Sequence, residues 1–548
     1  MNTNPLIIQS GLTILMETDG PRSKDAKIAL NQFAELVKSP EHIHTYQITP
    51  LSVWNAMAAG MSGQYILDTL NQYKKFDFPD VVGKEIQNLT ERYGQIVIVK
   101  ENDALIIRFL SPFVQTLALN DANIAPLIGK PVDKSSFQLE LIYRGLVKQK
   151  LIEFGYPVQD EAGFIEGEPL TLFLKESEET FTLRHYQREA VDLFYAKGSF
   201  SAGHGVIVLP CGAGKTLVGI ATMAEIKQKT LILTTGNTSV KQWQREILDK
   251  TTLEKESVAE YSGKTKTIAD VTIATYQIMS YRNKEGEFPH FELFDKGNWG
   301  LIIYDEVHLL PAPVFRITAS LQAKRRLGLT ATLVREDGKE KDVFALIGPK
   351  RYDVPWKEME EQGFIADATC VEVKVKQSDA YNMEYAMAEN KHRFRIAAEN
   401  PRKIEKLKEL LAAYPDKQTL IIGEYITQIE KVAGELDLKI IFGKTKQKER
   451  EKIFQQFRDK EIKVLVLSRV GNFAIDLPDA DLLIQMSGKY GSRQEEAQRL
   501  GRVLRPKKDG HGALFYSLIS SQTCEEEFAR NRQIFLTEQG YSYDIIVF

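Results

Sequence analysis

Leu209 to Thr216 reads LPCGAGKT, and Tyr304 to His308 reads YDEVH after the apolar run Leu301-Ile302-Ile303. The first segment follows the apolar stretch Gly205 to Leu209 and precedes the helical pattern Leu217 to Lys227. That places it at a strand-to-helix turn, where backbone N–H groups point at an anion. Gly212 and Gly214 let the main chain wrap a phosphate chain without Cβ clashes, and Ala213 keeps the loop small. Lys215 brings a point charge to the β and γ phosphates, and Thr216 offers its hydroxyl to Mg²⁺. Cys211 reads as a small loop residue rather than a nucleophile. The strict GxxxxGK[ST] pattern is not met, because Leu209 stands where its first glycine would be. In the second segment Asp305 is placed to complete the Mg²⁺ shell and Glu306 to orient or deprotonate an attacking water. Either segment alone also fits a glycine turn or a solvated charge pair. In this order they describe hydrolysis of a nucleoside triphosphate.

Other patterns sit where such a site needs them. In Leu183 to Ala190, Gln187 is an amide able to pair with the N6 amine and N7 of adenine, which would favour ATP. Thr330-Ala331-Thr332 follows a strand and carries two hydroxyls that could link hydrolysis to domain movement; a plain small-residue strand end is the alternative. Near the C-terminus, Gln498, Arg502 and Arg505 share a helix face, with Arg499 three residues before Arg502. Arginines reaching a γ-phosphate would act as arginine fingers. A solvated basic helix would show the same spacing.

Composition bounds the answer. A chain of 548 residues exceeds what one core usually serves, and 43% hydrophobic with 26% charged residues describes an ordinary globular protein. The net charge of −3 means that any nucleic-acid surface is a local basic lining. Cys211, Cys370 and Cys524 lie far apart, with neither metal-ligand nor disulfide-framework spacing, which suits a reducing cytoplasm. The start MNTNPLIIQSG is not a secretory leader, and no apolar run reaches membrane-spanning length. The expectation is a cytoplasmic protein with no membrane association.

The elements that must hold these residues fall into four regions: 1–100, 101–178, 179–355 and 356–548. In the first, strand-like runs (Leu6 to Gln9, Leu12 to Glu17, Gln95 to Lys100) mix with helical patterns at Ala26 to Ser39 and Leu51 to Gly60, predicting a small α+β module whose Trp54 belongs to the core. The second carries strand-like runs at Ala104 to Leu110, Phe137 to Tyr143 and Leu170 to Leu174 between Gly and Pro turns. From 179 to 355, and again towards the C-terminus, strands alternate with helices, which means parallel sheets with crossover helices. The predicted fold is α/β, with two tandem RecA-like parallel-sheet lobes preceded by small α+β modules.

These segments in this order resemble superfamily 2 helicases. DEVH, LGLTATLVREDG (Leu327 to Gly338), SRVGNFAIDLP (Ser468 to Pro478) and the end FLTEQGYSY (Phe535 to Tyr543) narrow the resemblance to the XPB family of DNA-repair helicases. SPEHIHTYQITPLSVWNA (Ser39 to Ala56) is similar to the N-terminal region of its microbial members. The resemblance implies an ATP-dependent DNA helicase of 3′ to 5′ polarity that opens duplex DNA in nucleotide excision repair, using ATP and Mg²⁺ and acting on forked or single-stranded DNA. It implies catalytic roles for Lys215, Asp305, Glu306, Gln498, Arg499 and Arg502. Nucleotide contacts would come from Arg184, Gln187, Cys211 to Thr216 and Asp476. DNA contact or coupling would fall to Thr275, Thr330, Thr332, Ser468 and the wedge-like element Arg335, Glu336 and Asp337. Residues 101–178 would be a damage-recognition module, and a thumb-like insertion would lie near 376–395, where Tyr381, Tyr385, Lys391, His392, Arg393, Phe394 and Arg395 suit stacking and backbone contacts on a DNA strand, an ordinary amphipathic helix being the alternative. A small endonuclease partner is also implied. Two other readings satisfy the same motifs: a duplex translocase, and an ATP-gated scaffold that recruits a nuclease.

Overall fold

The computed structural model describes the chain except residues 1–2, 31, 39–41, 59, 103, 141–142, 163–166, 178–180, 196–202, 211, 264, 285–288, 291–292, 294–296, 310–324, 332–342, 344–346, 349, 355, 469–479, 489–499, 502–511 and 539–540. It divides into two compact units, the first built chiefly from residues before Val354 and the second chiefly from Val354–Phe548.

The first unit opens with an antiparallel sheet, in the order β1-β2-β4-β3, of β1 (Leu6–Ile8), β2 (Thr13–Glu17), β3 (Glu35–Lys38) and β4 (Ile43–Gln47). Helices α1 (Ser23–Leu30), α2 (Pro50–Ala58), α3 (Gly63–Tyr73) and α4 (Asp80–Arg92) accompany it. The alternation in Thr13–Glu17 buries Ile14 and Met16 on one face, as expected of a half-buried strand. Trp54 is core, as read from the sequence, and its indole N–H donates to the Leu89 carbonyl at 2.9 Å. The helix expected over 26–39 ends at Leu30; Glu35–Lys38 instead pairs with β4, so a non-local ladder overrides a helical spacing.

A second small sheet, ordered β7-β6-β5-β8, contains β5 (Ile96–Glu101), β6 (Ala104–Phe109), β7 (Ser136–Leu139) and β8 (Val158–Asp160), with α5 (Pro112–Asn120) and α6 (Arg144–Glu153). β5 and β6 form one hairpin, so the boundary expected at 100/101 falls inside this module, whose core includes Ile96, Ile98, Ile107 and Phe109. Leu170 to Leu174 is not a sheet strand: within it only Leu174 forms a bridge, to Thr251, and Pro169 just before it bridges Gln228.

The first parallel sheet is built from β9 (His204–Val208), β10 (Thr230–Thr234), β11 (Val258–Tyr261), β12 (Val271–Thr275), β13 (Leu301–Asp305), β14 (Arg325–Thr330) and β15 (Lys350–Asp353), in the order β11-β12-β10-β13-β14-β9-β15. Its helices are α7 (His185–Tyr195), α8 (Lys215–Ile226), α9 (Asn237–Lys250) and the short α10 (Tyr276–Met279). Central strands such as Thr230–Thr234 are buried at every residue, because helices cover both faces.

The second unit repeats this plan. α11 (Trp356–Glu361) precedes β16 (Ala368–Val375), which is followed by α12 (Asp379–Met387), α13 (Asn390–Ala398), α14 (Arg402–Ala413), β17 (Thr419–Gly423), α15 (Ile426–Leu436), β18 (Lys439–Ile441), α16 (Gln447–Arg458), β19 (Val464–Ser468), β20 (Leu482–Gln485), β21 (Ala513–Ser520), α17 (Cys524–Glu538) and β22 (Tyr543–Val547). The sheet order is β18-β19-β17-β20-β21-β16-β22. Numbering each sheet's strands from its own first strand gives the same order, 3-4-2-5-6-1-7, in both units. The two lobes therefore share one topology, as the alternating pattern predicts. The expected thumb-like stretch is α12 and α13. Its aromatic rings are engaged within the lobe: Phe394 packs on Tyr425 and Phe528, and the Tyr385 hydroxyl accepts from the Cys524 amide at 2.8 Å. Tyr381, Tyr385 and Phe394 are half-buried, while Lys391, His392 and Arg395 are exposed. No helix among the described residues is long and apolar enough to cross a membrane.

Candidate functional site

In a parallel sheet the C-terminal ends of all strands share one edge, where loops and helix N-termini meet. Along the first lobe that edge runs through Thr275 of β12, Thr234 of β10, Asp305 of β13, Thr330 of β14 and Val208 of β9, in register as Thr234 with Thr275, Asp305 with Leu329, and Thr330 with Val208. The topology thus gathers residues that lie more than a hundred positions apart in the sequence.

The phosphate loop leaves β9 and enters α8. Gly212 and Gly214 adopt φ of +85° and +80°, the left-handed region in which a Cβ is strained. A Cβ on Gly214 would also stand 2.5 Å from Gln187 Nε2. Gln187 is 3% exposed, and its Oε1 accepts from the Arg184 amide at 3.0 Å. The amide expected to read adenine is therefore packed against the loop itself. Arg184 Nη1 lies 3.4 Å from the Tyr186 hydroxyl. Lys215 and Thr216 form the first turn of α8, and the Lys215 ammonium lies 3.8 Å from Glu306 Oε1.

Asp305 ends β13 and is partly buried. Desolvation, then the neighbouring Glu306 charge, pushes its carboxyl up to about 6, against the opposing effect of a hydrogen bond from Trp243 and the Lys215 charge. The Trp243 indole N–H donates to Asp305 Oδ2 at 3.0 Å, and the Tyr276 hydroxyl donates to the Asp305 carbonyl at 2.8 Å. Glu306 holds φ of +50°, unusual for a residue with a side chain, at the turn within the DEVH segment just after β13 ends. His308 Nδ1 lies 2.6 Å from Thr330 Oγ1 and 3.5 Å from Glu306 Oε2. The first hydroxyl of the TAT segment thus hydrogen-bonds the imidazole nitrogen that lies nearest the Glu306 carboxylate.

A divalent cation of the hard, oxygen-seeking kind fits this corner. Magnesium usually takes one or two carboxylates, waters and substrate phosphates rather than a full protein cage. Asp305 offers a poorly hydrated carboxylate that a cation would relieve, and Thr216 offers a hydroxyl at the start of α8. No cluster of three or more His, Cys, Asp or Glu residues able to hold a metal occurs among the described residues.

Thr275 is 4% exposed, and its Oγ1 caps α10 by accepting from the Ile278 amide at 3.3 Å. Ser468 ends β19 opposite Gly423 of β17, the position in the second lobe that Thr275 occupies against Thr234 in the first. Its side chain is 3% exposed. Cys211, Thr332, Arg335, Glu336, Asp337, Asp476, Gln498, Arg499 and Arg502 lie outside the described residues. Reasoning from sequence alone passed over Trp243, Tyr276 and His308. Trp243 shares with Val240 and Ile247 the spacing of an ordinary core face, and only the need of a buried indole N–H for an acceptor hints at more.

Comparison with known proteins places this geometry. Residues 359–548 match the ERCC3/RAD25/XPB C-terminal helicase model, residues 180–335 the type III restriction enzyme res subunit model, and residues 6–133 a helicase conserved C-terminal domain model. The chain is 50% identical over 546 residues to the DNA 3'-5' helicase XPB of Mycobacterium tuberculosis, covering 100% of this chain and 98% of the relative. It is 49% identical over 547 residues to the protein of the same name from Kineococcus radiotolerans, covering 100% and 97%. The XPB/SSL2 helicase/translocase subunit of general transcription and DNA repair factor IIH from Saccharomyces cerevisiae is 32% identical over 97% of this chain and 71% of the relative. Among solved structures, an ATP-dependent type ISP restriction-modification enzyme bound to DNA aligns with a TM-score of 0.50 at 13% identity, over 67% of this chain and 31% of that one, a likeness of fold alone. With full-length relatives at half identity, and with two lobes of one topology, the chain belongs to the XPB family of superfamily 2 helicases.

Proposed function

We propose that this chain is an ATP-dependent DNA helicase of 3′ to 5′ polarity that opens duplex DNA during nucleotide excision repair. The observation that carries the reading is the strand-edge row of Thr275, Thr234, Asp305 and Thr330, with Lys215 3.8 Å from Glu306 beside it. In this reading the backbone N–H groups of Gly212 to Lys215 cradle the phosphates and Lys215 balances their charge. The carboxylate of Glu306, beside that lysine, orients the attacking water and accepts its proton. Asp305 and Thr216 hold Mg²⁺, which when bound neutralises charge on the β and γ phosphates. His308 passes the state of the acidic pair to Thr330. Gln498, Arg499 and Arg502 stabilise charge on the γ-phosphate, and Asp476 contacts nucleotide.

Thr275 in the first lobe and Ser468 in the second stand at equivalent strand ends, and each lobe offers that end to a DNA strand. Binding through the phosphate backbone would be sequence-tolerant and salt-dependent. Arg335, Glu336 and Asp337 act at the fork, the module carrying β5 to β8 recognises damage, and residues 179–355 and 356–548 are the two motor lobes. The protein works in the cytoplasm, with a small endonuclease as partner.

The test is ATP hydrolysis with single-stranded, forked and blunt duplex DNA, followed by strand separation on the fork. Lys215→Ala and Glu306→Gln should each lose about 10²-fold or more in kcat while keeping fold and DNA binding. Retained DNA-stimulated turnover in either variant refutes the assigned roles. Stimulation by blunt duplex alone, without unwinding, would make the protein a duplex translocase.

A further inference from the structure

Two aromatic donors end on the same aspartate. Trp243 is 1% exposed and stands on α9, just beyond Thr234 to Val240; its N–H meets Asp305 Oδ2 at 3.0 Å. Tyr276 is 3% exposed and immediately follows Thr275; its hydroxyl meets the Asp305 carbonyl at 2.8 Å. The two segments that lead into these donors come from neighbouring strands, β10 and β12, whose last residues Thr234 and Thr275 are in register; Thr275 is assigned above to the DNA strand, and Thr234 stands beside it on the same edge. The Trp243 ring has a second contact: a Cβ on Gly219 of α8 would stand 2.5 Å from its Cη2. The indole therefore touches the phosphate-loop helix and the aspartate at once, with no solvent between.

We infer that Trp243 and Tyr276 are paired positioning residues that transmit occupancy of the DNA-binding edge to the carboxylate of Asp305, so that DNA tightens metal-nucleotide binding by fixing that side chain. The inference rests on the assignment of Asp305 as a metal ligand. Mechanically, α9 and α10 are joined to the sheet by buried rings, and a displacement of either helix start moves a hydrogen-bond donor on Asp305. A single aromatic anchor would hold the side chain; two anchors, one on the carboxylate and one on the backbone, make its orientation depend on both segments.

The experiment measures Mn²⁺ binding by electron paramagnetic resonance in the presence of ADP, with and without a single-stranded oligonucleotide, in the full chain. In the wild-type protein DNA should change Mn²⁺ affinity by about fivefold or more, the ordinary scale of coupled sites. Trp243→Phe keeps a ring and loses the N–H; Tyr276→Phe keeps the ring and loses only the hydroxyl. In each, the DNA-dependent change should fall below about twofold, while affinity for DNA without nucleotide stays at the wild-type value. Should Trp243→Phe lower the melting temperature, Tyr276→Phe carries the test by itself. Asp305→Asn is the reference for the underlying assignment. Unchanged Mn²⁺ affinity in Asp305→Asn overturns that assignment and the inference with it. Loss of Mn²⁺ affinity in Asp305→Asn, together with full coupling in both phenylalanine variants or no coupling in the wild type, overturns the inference alone.

Discussion

Asp305→Asn should make the metal-free protein more stable at neutral pH while abolishing turnover. The carboxyl is pushed from 3.8 up to about 6 by desolvation and by the Glu306 charge. Full expression of that rise would correspond to about 3 kcal/mol, and partial exposure of the residue scales it to about 1–3 kcal/mol. Because the folded-state value lies above the unfolded one, folding is favoured most when the carboxyl is protonated. That stability is present in full below about pH 4 and is lost as pH rises through about 6. Asparagine keeps an oxygen to accept from the Trp243 indole, 3.0 Å away in the native protein, and removes the charge. The variant should therefore exceed the wild type by about 1–3 kcal/mol at pH 7.5 in chelator-containing buffer, with the gap closing towards pH 4. Chemical denaturation followed by tryptophan fluorescence reads this directly, since Trp54, Trp243 and Trp299 all belong to the first unit and only Trp356 to the second. A variant no more stable than the wild type at pH 7.5, or a gap that persists unchanged at pH 4.5, would refute the electrostatic account of the site.

Three further outcomes follow from particular contacts. Gly214→Ala forces φ of +80° on a residue with a Cβ, at about 1–2 kcal/mol, or roughly 5- to 30-fold in nucleotide affinity, and adds a clash with Gln187; combining it with Gln187→Ala should recover the steric part only, and a fluorescent-nucleotide titration showing less than about a twofold loss in the single variant would sink the argument. In the second unit, Lys403 and Glu525 form a buried ion pair at 2.6 Å, with Lys403 also donating to the Met486 carbonyl at 2.9 Å. Lys403→Met should cost about 3–5 kcal/mol by stranding the carboxylate, and Lys403→Met with Glu525→Leu less than that; a double variant as unstable as the single, in denaturant melts, would contradict this. Asp160 accepts from Arg144 at 2.6 Å and 2.9 Å and from Lys148 at 2.9 Å. Burial alone would raise its carboxyl, but the Lys148 and Arg144 charges and hydrogen bonds more than reverse this and hold it below the usual carboxylate range. Its stabilisation is thus present above about pH 4 and lost as pH falls further, so the penalty of Asp160→Asn should be largest at pH 7 and should shrink by pH 3; a pH-independent penalty measured by hydrogen exchange across Ile96–Phe109 would rule this out.

The lobes were legible because their strands are continuous apolar runs: Leu301–Asp305 and Leu420 to Ile422 announce buried parallel strands without any partner in view. The small modules were harder to read. Ala26 to Ser39 places apolar residues at a helical spacing, yet Glu35–Lys38 gains a ladder with Ile43–Gln47, and a strand on the far side of a turn is not written in local periodicity. Likewise Gln95 to Lys100 and Ala104 to Leu110 each read as strands, but only their pairing shows that they form one hairpin and therefore one module.

The site divides along the same line. Gly212, Gly214, Lys215, Asp305 and Glu306 could be read because phosphate and metal chemistry restricts which residue types stand at each step of a short segment. Gln187 could be named but not placed: the sequence supplies an amide, and only packing shows it pressed against Gly214, where it makes the loop intolerant of a Cβ. Trp243 and Tyr276 could not be read at all as parts of the site, because their local settings are those of core aromatics. What distinguishes them is a polar atom on each ring that needs a buried acceptor, and both find it on one aspartate. Chemistry that depends on residue type is thus visible one segment at a time, whereas the connections that make the aspartate responsive to its surroundings exist only once β10, β12 and β13 lie side by side.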